Sequence, residues 1–250
     1  MSLFSLLKII KKNRPPTCTA VIAAAGLSQR CKREDKLFYK INDKPVLVHA
    51  ISAFQDSGLV DDIIVVVHED KVELVGNMCT EFGLDKVSKV IVGGKTRPES
   101  VLYGIYAASK KARLIAIHDG ARPCIDVDTI DKTIKKAAVC NAAAPAVSIT
   151  STVKRVKEGI IDETVDREGL FEVQTPQVFK SEMIKGALTN VLKKEIDVTD
   201  DCMAVEKLGF SVFIVEGSRK NIKITESNDL LIAESFLSES VLKKEESLCE

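Results

Sequence analysis

The stretch Thr19-Ala-Val-Ile-Ala-Ala-Ala-Gly-Leu-Ser-Gln-Arg-Cys-Lys-Arg-Glu-Asp-Lys36 decides the fold. Its first half, Ala20 to Ala25, is a short apolar run ended by Gly26, which reads as a buried strand entering a loop. Ala and Gly leave little side-chain bulk, so a ligand can come close to the backbone. The second half carries Arg30, Lys32, Arg33 and Lys36. Exposed amides on such a loop attract phosphate, and the basic side chains add charge, so the expected cargo is a polyphosphate. An ordinary strand and loop with solvated basic residues gives the same local pattern, and the remaining chain has to decide between them.

Outward from that stretch, apolar residues at 46, 47, 50, 51 and 54 follow helical spacing, with Pro45 suited to a first helical turn. Asp61 to Val67 is a β-branched run, hence a buried strand. Further strands are expected at 89–92, 114–117 and 143–149, with helices over about 70–82, 99–110 and 127–139. Alternating apolar strands and helices mean parallel strands joined by crossover helices. Such sheets bind ligands at the carboxyl ends of their strands. Three of these strands end in Ala-Ala-Ala-Gly, Gly-Gly and His-Asp-Gly. The expected fold is therefore α/β and Rossmann-like, a mostly parallel twisted sheet with helices on both faces.

Residues 150–171 break the rhythm. They are charged, with β-type patches around Glu158-Gly159, and read as a protruding β-arm. A lone hairpin is marginal in water, so a two-fold-related partner is its natural support and a homodimer is expected; a monomer's surface loop is the alternative. Beyond it come Glu172 to Phe179, a helix near 180–193, Thr199 as the cap of a helix starting at Asp200, a strand at 211–215, and a closing helix from about Asn228.

The chain has 36 Lys+Arg against 36 Asp+Glu, so no global basic field marks it as a nucleic-acid binder. Seven scattered cysteines with no CxxC pair argue against a disulfide framework or zinc site and suit a reducing cytoplasm. The start, Met1 to Pro16, reads as a frayed or loosely packed extension with the spacing of a short amphipathic helix, too short to span a bilayer. No integral membrane segment is expected.

Seven segments now support a resemblance. They are AAAGLSQR…DK at 23–36, GGKTRPESVLYG at 93–104, HDGARP at 118–123, STVK at 151–154, TVDREGLFEVQTPQVF at 164–179, TDD at 199–201 and NIKIT at 221–225. In that order they resemble the 2-C-methyl-D-erythritol 4-phosphate cytidylyltransferase family. The resemblance implies transfer of a cytidylyl group from CTP to a polyol phosphate, with pyrophosphate released. It implies one nucleotidyltransferase domain over 17–240 with its arm at about 150–171, an N-terminal extension at 1–16 and a tail at 241–250.

It also implies roles. Arg30, Lys36 and Lys223 would stabilise the crowded α-phosphate. Asp119 would hold Mg²⁺ or another divalent cation. Ala24, Ala25, Gly26, Gly94, Ser100 and Gly120 would form the cytidine pocket; Ser100 reads equally as a helix-turn hydroxyl. Arg122, Thr152, Arg167, Thr175 and Thr199 would meet the acceptor. The chain departs from the family pattern at Ser28, Cys31, Asp35 and Ser151. A ribitol 5-phosphate cytidylyltransferase is a close rival, from which HDGARP and TDD separate this chain. A non-catalytic nucleotide-binding module is a rival of another class. A dinucleotide-dependent dehydrogenase is weaker, since GLSQRC lacks the GxGxxG spacing.

Overall fold

The computed structural model describes residues 17–26 and 36–248, with side chains as far as Glu239. The expected N-terminal extension, Arg30, and the departures at Ser28, Cys31 and Asp35 lie outside the described residues.

Strand β1 (Cys18–Ala24) is buried along almost its whole length. A small hairpin, β2 (Lys40–Ile41) and β3 (Lys44–Pro45), turns through Asn42 and Asp43, both at positive φ. Helix α1 (Val46–Asp56) follows, with Pro45 at its N-cap. Then come β4 (Asp62–Val67), α2 (Val72–Glu81), β5 (Val87–Val92), α3 (Arg97–Ala107), β6 (Leu114–Asp119), α4 (Val127–Cys140) and β7 (Ala142–Ser148). Thr96 caps α3 by accepting from the Glu99 amide, and Pro98 sits in its first turn, where a missing N–H costs nothing. Asp126 caps α4 in the same way, and Asn141 ends it in the left-handed region.

The arm is β8 (Val153–Lys157) and β9 (Ile160–Val165), a two-stranded sheet of its own. Glu158 and Gly159 at its tip both have positive φ, as a tight hairpin turn requires. Two short strands, β10 (Phe171–Val173) and β11 (Gln177–Lys180), return the chain to the main sheet. The last part holds α5 (Ser181–Lys193), α6 (Asp201–Glu206), β12 (Phe213–Glu216) and α7 (Ser227–Leu248). Helix α7 continues past residue 240, where the sequence reading ends the domain.

In the main sheet β5, β4, β1 and β6 lie side by side and parallel. β11 pairs antiparallel with both β6 and β7. β10 pairs antiparallel with the far end of β7, and β12 pairs parallel with β7. Ala143 is partnered by both β11 and β12, and Ala146 by both β10 and β12. β10 and β11 therefore share one edge of β7 and form a single interrupted strand around Gln174, Thr175 and Pro176. The Thr175–Pro176 peptide is cis.

Alternate residues of each central strand face opposite cores. Ile22, Val65 and Ala116 belong to the layer covered by α1, α4 and α7. Val21, Ile64, Val66, Ile115 and Ile117 belong to the layer covered by α3, α5 and α6. Both faces being buried explains why the strands read as unbroken apolar runs. The chain runs from β1 outward through β4 to β5, then returns to the other side of β1 as β6. The direction of winding reverses between β1 and β6, and a crevice for ligands opens there at the carboxyl ends.

Candidate active site

At that reversal β6 ends in Asp119, paired in register with Ala23 of β1. The next residue, Gly120, donates its amide to the Ala23 carbonyl at 3.0 Å. A Cβ there would come within 2.9 Å of Leu47 Cδ1 and 3.2 Å of Ala24 Cβ. Glycine is what lets the loop close against the end of β1.

Three cations surround the Asp119 carboxylate. Lys223 Nζ is 2.8 Å from Oδ2, Arg97 Nη2 is 3.2 Å from Oδ1, and Arg122 Nε is 3.8 Å from Oδ2. Burial opposes ionisation of Asp119, but Arg97, Lys223 and Arg122 outweigh it and hold the carboxyl well below the usual range. Arg97 Nη2 also lies 2.9 Å from Oδ2 of Asp201, on α6. Asp201 is 1% exposed, and burial raises its pKa against the pull of Arg97. Three cations and two carboxylates thus meet at the rim, with Glu172 acting on Arg122 and Asp200 on Asp201 from beside it.

A hydrogen-bonded frame fixes this cluster. The Asp119 amide donates to Thr175 Oγ1 at 3.1 Å. Thr175 Oγ1 and His118 Nδ1 are 2.9 Å apart, and His118 Nε2 faces the Arg122 carbonyl at 3.2 Å. With Nε2 carrying the proton, every link is satisfied: threonine donates to Nδ1, and the imidazole donates to the carbonyl. Burial pushes the His118 pKa down to about 4, so the ring is neutral at pH 7. Arg122 Nη1 donates to the Asn221 carbonyl at 2.7 Å, and Asn221 Nδ2 donates to the Thr175 carbonyl at 2.9 Å. The Ile224 amide bonds the Ala121 carbonyl at 2.8 Å. These bonds clamp 221–225 onto the end of β6 and place Lys223 beside Asp119.

Lys36 arrives at the same segment, donating to the Ile224 carbonyl at 2.7 Å. Lys36 thus reaches the segment that carries Lys223, and Lys223 in turn meets Asp119. Ala24 and Ala25 stand at the end of β1, and beyond them no described residue lies where a Cβ on Gly26 would point. Ala25, Gly93, Gly94, Lys95, Glu99 and Tyr103 line part of an open cleft of about 390 Å³ at the ends of β1, β4 and β5.

Two hydroxyls are engaged within the fold, Ser100 as the helix-turn hydroxyl of its alternative reading. Buried Ser100 accepts from the Gly94 amide at 3.0 Å and donates to the Thr96 carbonyl at 2.9 Å, so it shapes the Gly93-Gly94 loop. Thr175 is 4% exposed, and its hydroxyl is committed to His118 and Asp119 rather than presented to a ligand. Arg122 is likewise buried, with Nη1 on the Asn221 carbonyl. Thr199 is exposed, and the cap of α6 is Asp200, which accepts from the Met203 amide; the helix starts at Asp201. Thr152 and Arg167 are exposed on the segments flanking the arm, where Arg167 donates to the Thr150 carbonyl.

Sequence reasoning missed Arg97 and Asp201. Both lie inside quoted motifs, GGKTRPES and TDD, and an unassigned charge within a motif was the available signal. Gln177 was missed too. Its Oε1 accepts from the amides of Asp201 and Cys202 at 3.0 and 2.9 Å and so holds the start of α6. Among the described residues no three His, Cys, Asp or Glu side chains gather to bind a metal alone. Burial raises the thiols of Cys79 to about 11 and Cys124 to about 12, which leaves neither as a thiolate at neutral pH.

This arrangement has counterparts. Residues 18–239 match the family model described as 2-C-methyl-D-erythritol 4-phosphate cytidylyltransferase. A protein of that name from Dehalococcoides mccartyi (strain CBDB1) is 42% identical over 219 residues, 87% of this chain and 95% of the relative. Another of that name, from Halalkalibacterium halodurans, is 37% identical over 222 residues, 88% of this chain and 97% of the relative. The crystal structure of the Francisella tularensis enzyme of that name superposes with a TM-score of 0.75 at 30% identity, covering 88% of this chain and 99% of that one. The structure titled 4-diphosphocytidyl-2C-methyl-D-erythritol synthase from Anaerococcus prevotii gives 0.79 at 27% identity, covering 89% and 99%. The match runs from β1 to α7 and takes in the whole Asp119 cluster, so the chain belongs to the 2-C-methyl-D-erythritol 4-phosphate cytidylyltransferase family.

Proposed function

We propose that this protein joins CTP and 2-C-methyl-D-erythritol 4-phosphate, forming 4-diphosphocytidyl-2-C-methyl-D-erythritol and releasing pyrophosphate. The observation that carries this is the convergence of Lys223, Arg97 and Arg122 on Asp119 within a family match spanning 18–239.

The chemical difficulty is the meeting of two anions. The acceptor phosphate, with a second pKa of about 6, is already ionised at neutral pH and needs no general base. His118 supports that economy, since both its nitrogens are engaged within the frame. What the reaction needs is charge compensation and in-line alignment. In this reading Lys36, Lys223 and Arg30 stabilise the charge on the α-phosphate. The backbone from Ala24 to Gly26, with Gly94 and Gly120, takes the nucleoside. Arg122, Thr152, Arg167 and Thr199 serve the acceptor. Ser100 and Thr175 act through the backbone and side chains that they position.

Asp119 fits a hard divalent cation such as Mg²⁺. It is an ionised carboxylate at the ligand crevice, and Mg²⁺ is held by one or two carboxylates plus substrate phosphates rather than by an all-protein cage. When bound, the ion would draw charge off the phosphates and orient the leaving pyrophosphate.

We read the arm as a contact between two copies of the chain. Val156, Ile160 and Ile161 are 54%, 74% and 61% exposed on an otherwise charged hairpin, a poor arrangement for an isolated element in water. Thr152 and Arg167 would then serve the neighbouring copy's site. A monomer by light scattering at assay concentration would remove that part. A cytoplasmic location goes with the free thiols.

The deciding experiment is a product assay with CTP, Mg²⁺ and either methylerythritol phosphate or ribitol phosphate. Product from methylerythritol phosphate alone is expected. Product from ribitol phosphate alone, or CTP binding with no product from either, would overturn the proposal.

A further inference from the structure

Besides Arg122 Nε at 3.8 Å from Oδ2, the Asp119 carboxylate makes two closer and unequal contacts. Lys223 Nζ meets Oδ2 at 2.8 Å, whereas Arg97 meets Oδ1 through Nη2 at 3.2 Å and Nε at 3.4 Å. The guanidinium is pulled from its other side by Asp201, whose Oδ2 is nearer, at 2.9 Å. Neither Asp201 oxygen has any other partner among the described residues. Asp201 is also almost fully buried. Its compensation is the charge of Arg97.

The backbone that carries Asp201 is held in place. The Asp201 amide is held by Gln177 Oε1, as is that of Cys202, and Asp200 caps the Met203 amide one step away. Gln177 also donates through Nε2 to Asp200 Oδ2 at 2.8 Å, which closes the brace. Asp201 is thus a fixed negative charge that competes with Asp119 for one guanidinium. A hard cation needs a carboxylate oxygen, and Oδ1 is the oxygen with the longer, shared contact.

We propose that Arg97, anchored by Asp201, is a positioning residue that sets how readily Asp119 yields an oxygen to a divalent cation. This rests on the cytidylyltransferase reading. Asp201 draws the guanidinium off Oδ1 and keeps that oxygen exchangeable. Without the charge on Asp201, Arg97 belongs wholly to Asp119 and competes with the incoming cation. Without either charge, the competition is absent.

The test uses the full chain with CTP and no acceptor, titrated with Mn²⁺ while the free ion is followed by electron paramagnetic resonance. Asp201→Asn is expected to raise the Mn²⁺ concentration for half occupancy about tenfold, the scale seen when a partner of a metal ligand is removed. Arg97→Met with Asp201→Asn leaves no buried charge unpaired, so it tests the idea even where the single variant folds poorly. It is expected to fall below wild type. Shifts of opposite sign are what a merely structural role would not produce. The Mg²⁺ activation constants should move in parallel, with the acceptor KM unchanged.

Equal Mn²⁺ occupancy in wild type and both variants, or shifts in the same direction, would overturn the proposal while leaving the activity intact. Wild type that takes up no Mn²⁺ with CTP and forms no product would instead overturn the functional reading on which it stands.

Discussion

The rim around Asp119 and the arm both hold ion pairs, and the pairs are worth different amounts. On the arm Arg155 Nε lies 2.6 Å from Glu163 Oε1, and Lys157 Nζ 2.8 Å from Asp162 Oδ2. The Arg97–Asp201 contact at the rim is no shorter, at 2.9 Å. Yet the Arg155 and Glu163 side chains are 58% and 54% exposed, whereas Asp201 is 1% exposed. Water competes for the arm pairs and screens them, so they add little. At the rim the Asp201 carboxylate is out of water, although the Arg97 side chain is 30% exposed, and that carboxylate left without its partner has no substitute. Burial, rather than distance, ranks the two regions.

The contrast can be broken in several ways. Arg97→Ala should cost about 3–5 kcal/mol of stability, because it strands Asp201 in the interior. Adding Asp201→Asn should restore most of that. Chemical denaturation measures both, and a cost below about 1 kcal/mol would put the rim pair on a par with the arm pairs. Lys223→Ala should lower turnover by about 10²–10³-fold, the size of losing one preorganised charge-stabilising donor. Its amine is partly exposed, so the melting curve should move little. Pyrophosphate release at saturating substrates would show it.

The frame beneath the rim adds an acid-sensitive term. His118 has its pKa lowered from 6.5 to about 4 by burial. Between those values the unfolded chain binds a proton and the folded one does not, so stability falls as pH drops through that window, by about 3 kcal/mol in all. Asp119, also lowered, contributes stability that is complete above the unfolded carboxylate pKa of about 3.9 and is lost only below it. Unfolding measured across pH should fall more steeply between 6.5 and 4 in wild type than in His118→Asn, which keeps the slope due to His49, whose pKa burial also lowers. The smallest effect belongs to the arm. Arg155→Ala should cost less than about 1 kcal/mol and less still in high salt.

Much of the sheet was legible because β1, β4, β6 and β7 are buried on both faces and have unbroken apolar runs. The interrupted strand was not. Glu172 to Phe179 carries a proline in its middle, which argues against a central strand, and the chain solves this by splitting the strand around Gln174 to Pro176. In the site, Asp119 and Lys223 could be named because their motifs were recognisable. The bond between Arg97 and Asp201 joins residues more than a hundred positions apart, and no local periodicity reports such a pair. Thr199, Asp200 and Asp201 are all competent caps by composition; only the backbone shows that Asp200 is the one used. Thr175 shows the same limit. A hydroxyl in a ligand-type motif looks available until His118 is seen to occupy it.

The clamp made by Asn221 to Thr225 bears on synthesis. The chain emerges amino end first, and every strand of the main sheet has left the ribosome before this segment does. A nascent or proteolysed product ending after β12 would own a complete sheet. It would still lack the amine beside Asp119, the carbonyl that receives Arg122, and the amide that ties down Ala121. Competence is thus withheld until Asn221 to Thr225 has been made, and copies clipped before it would be inert rather than partly active.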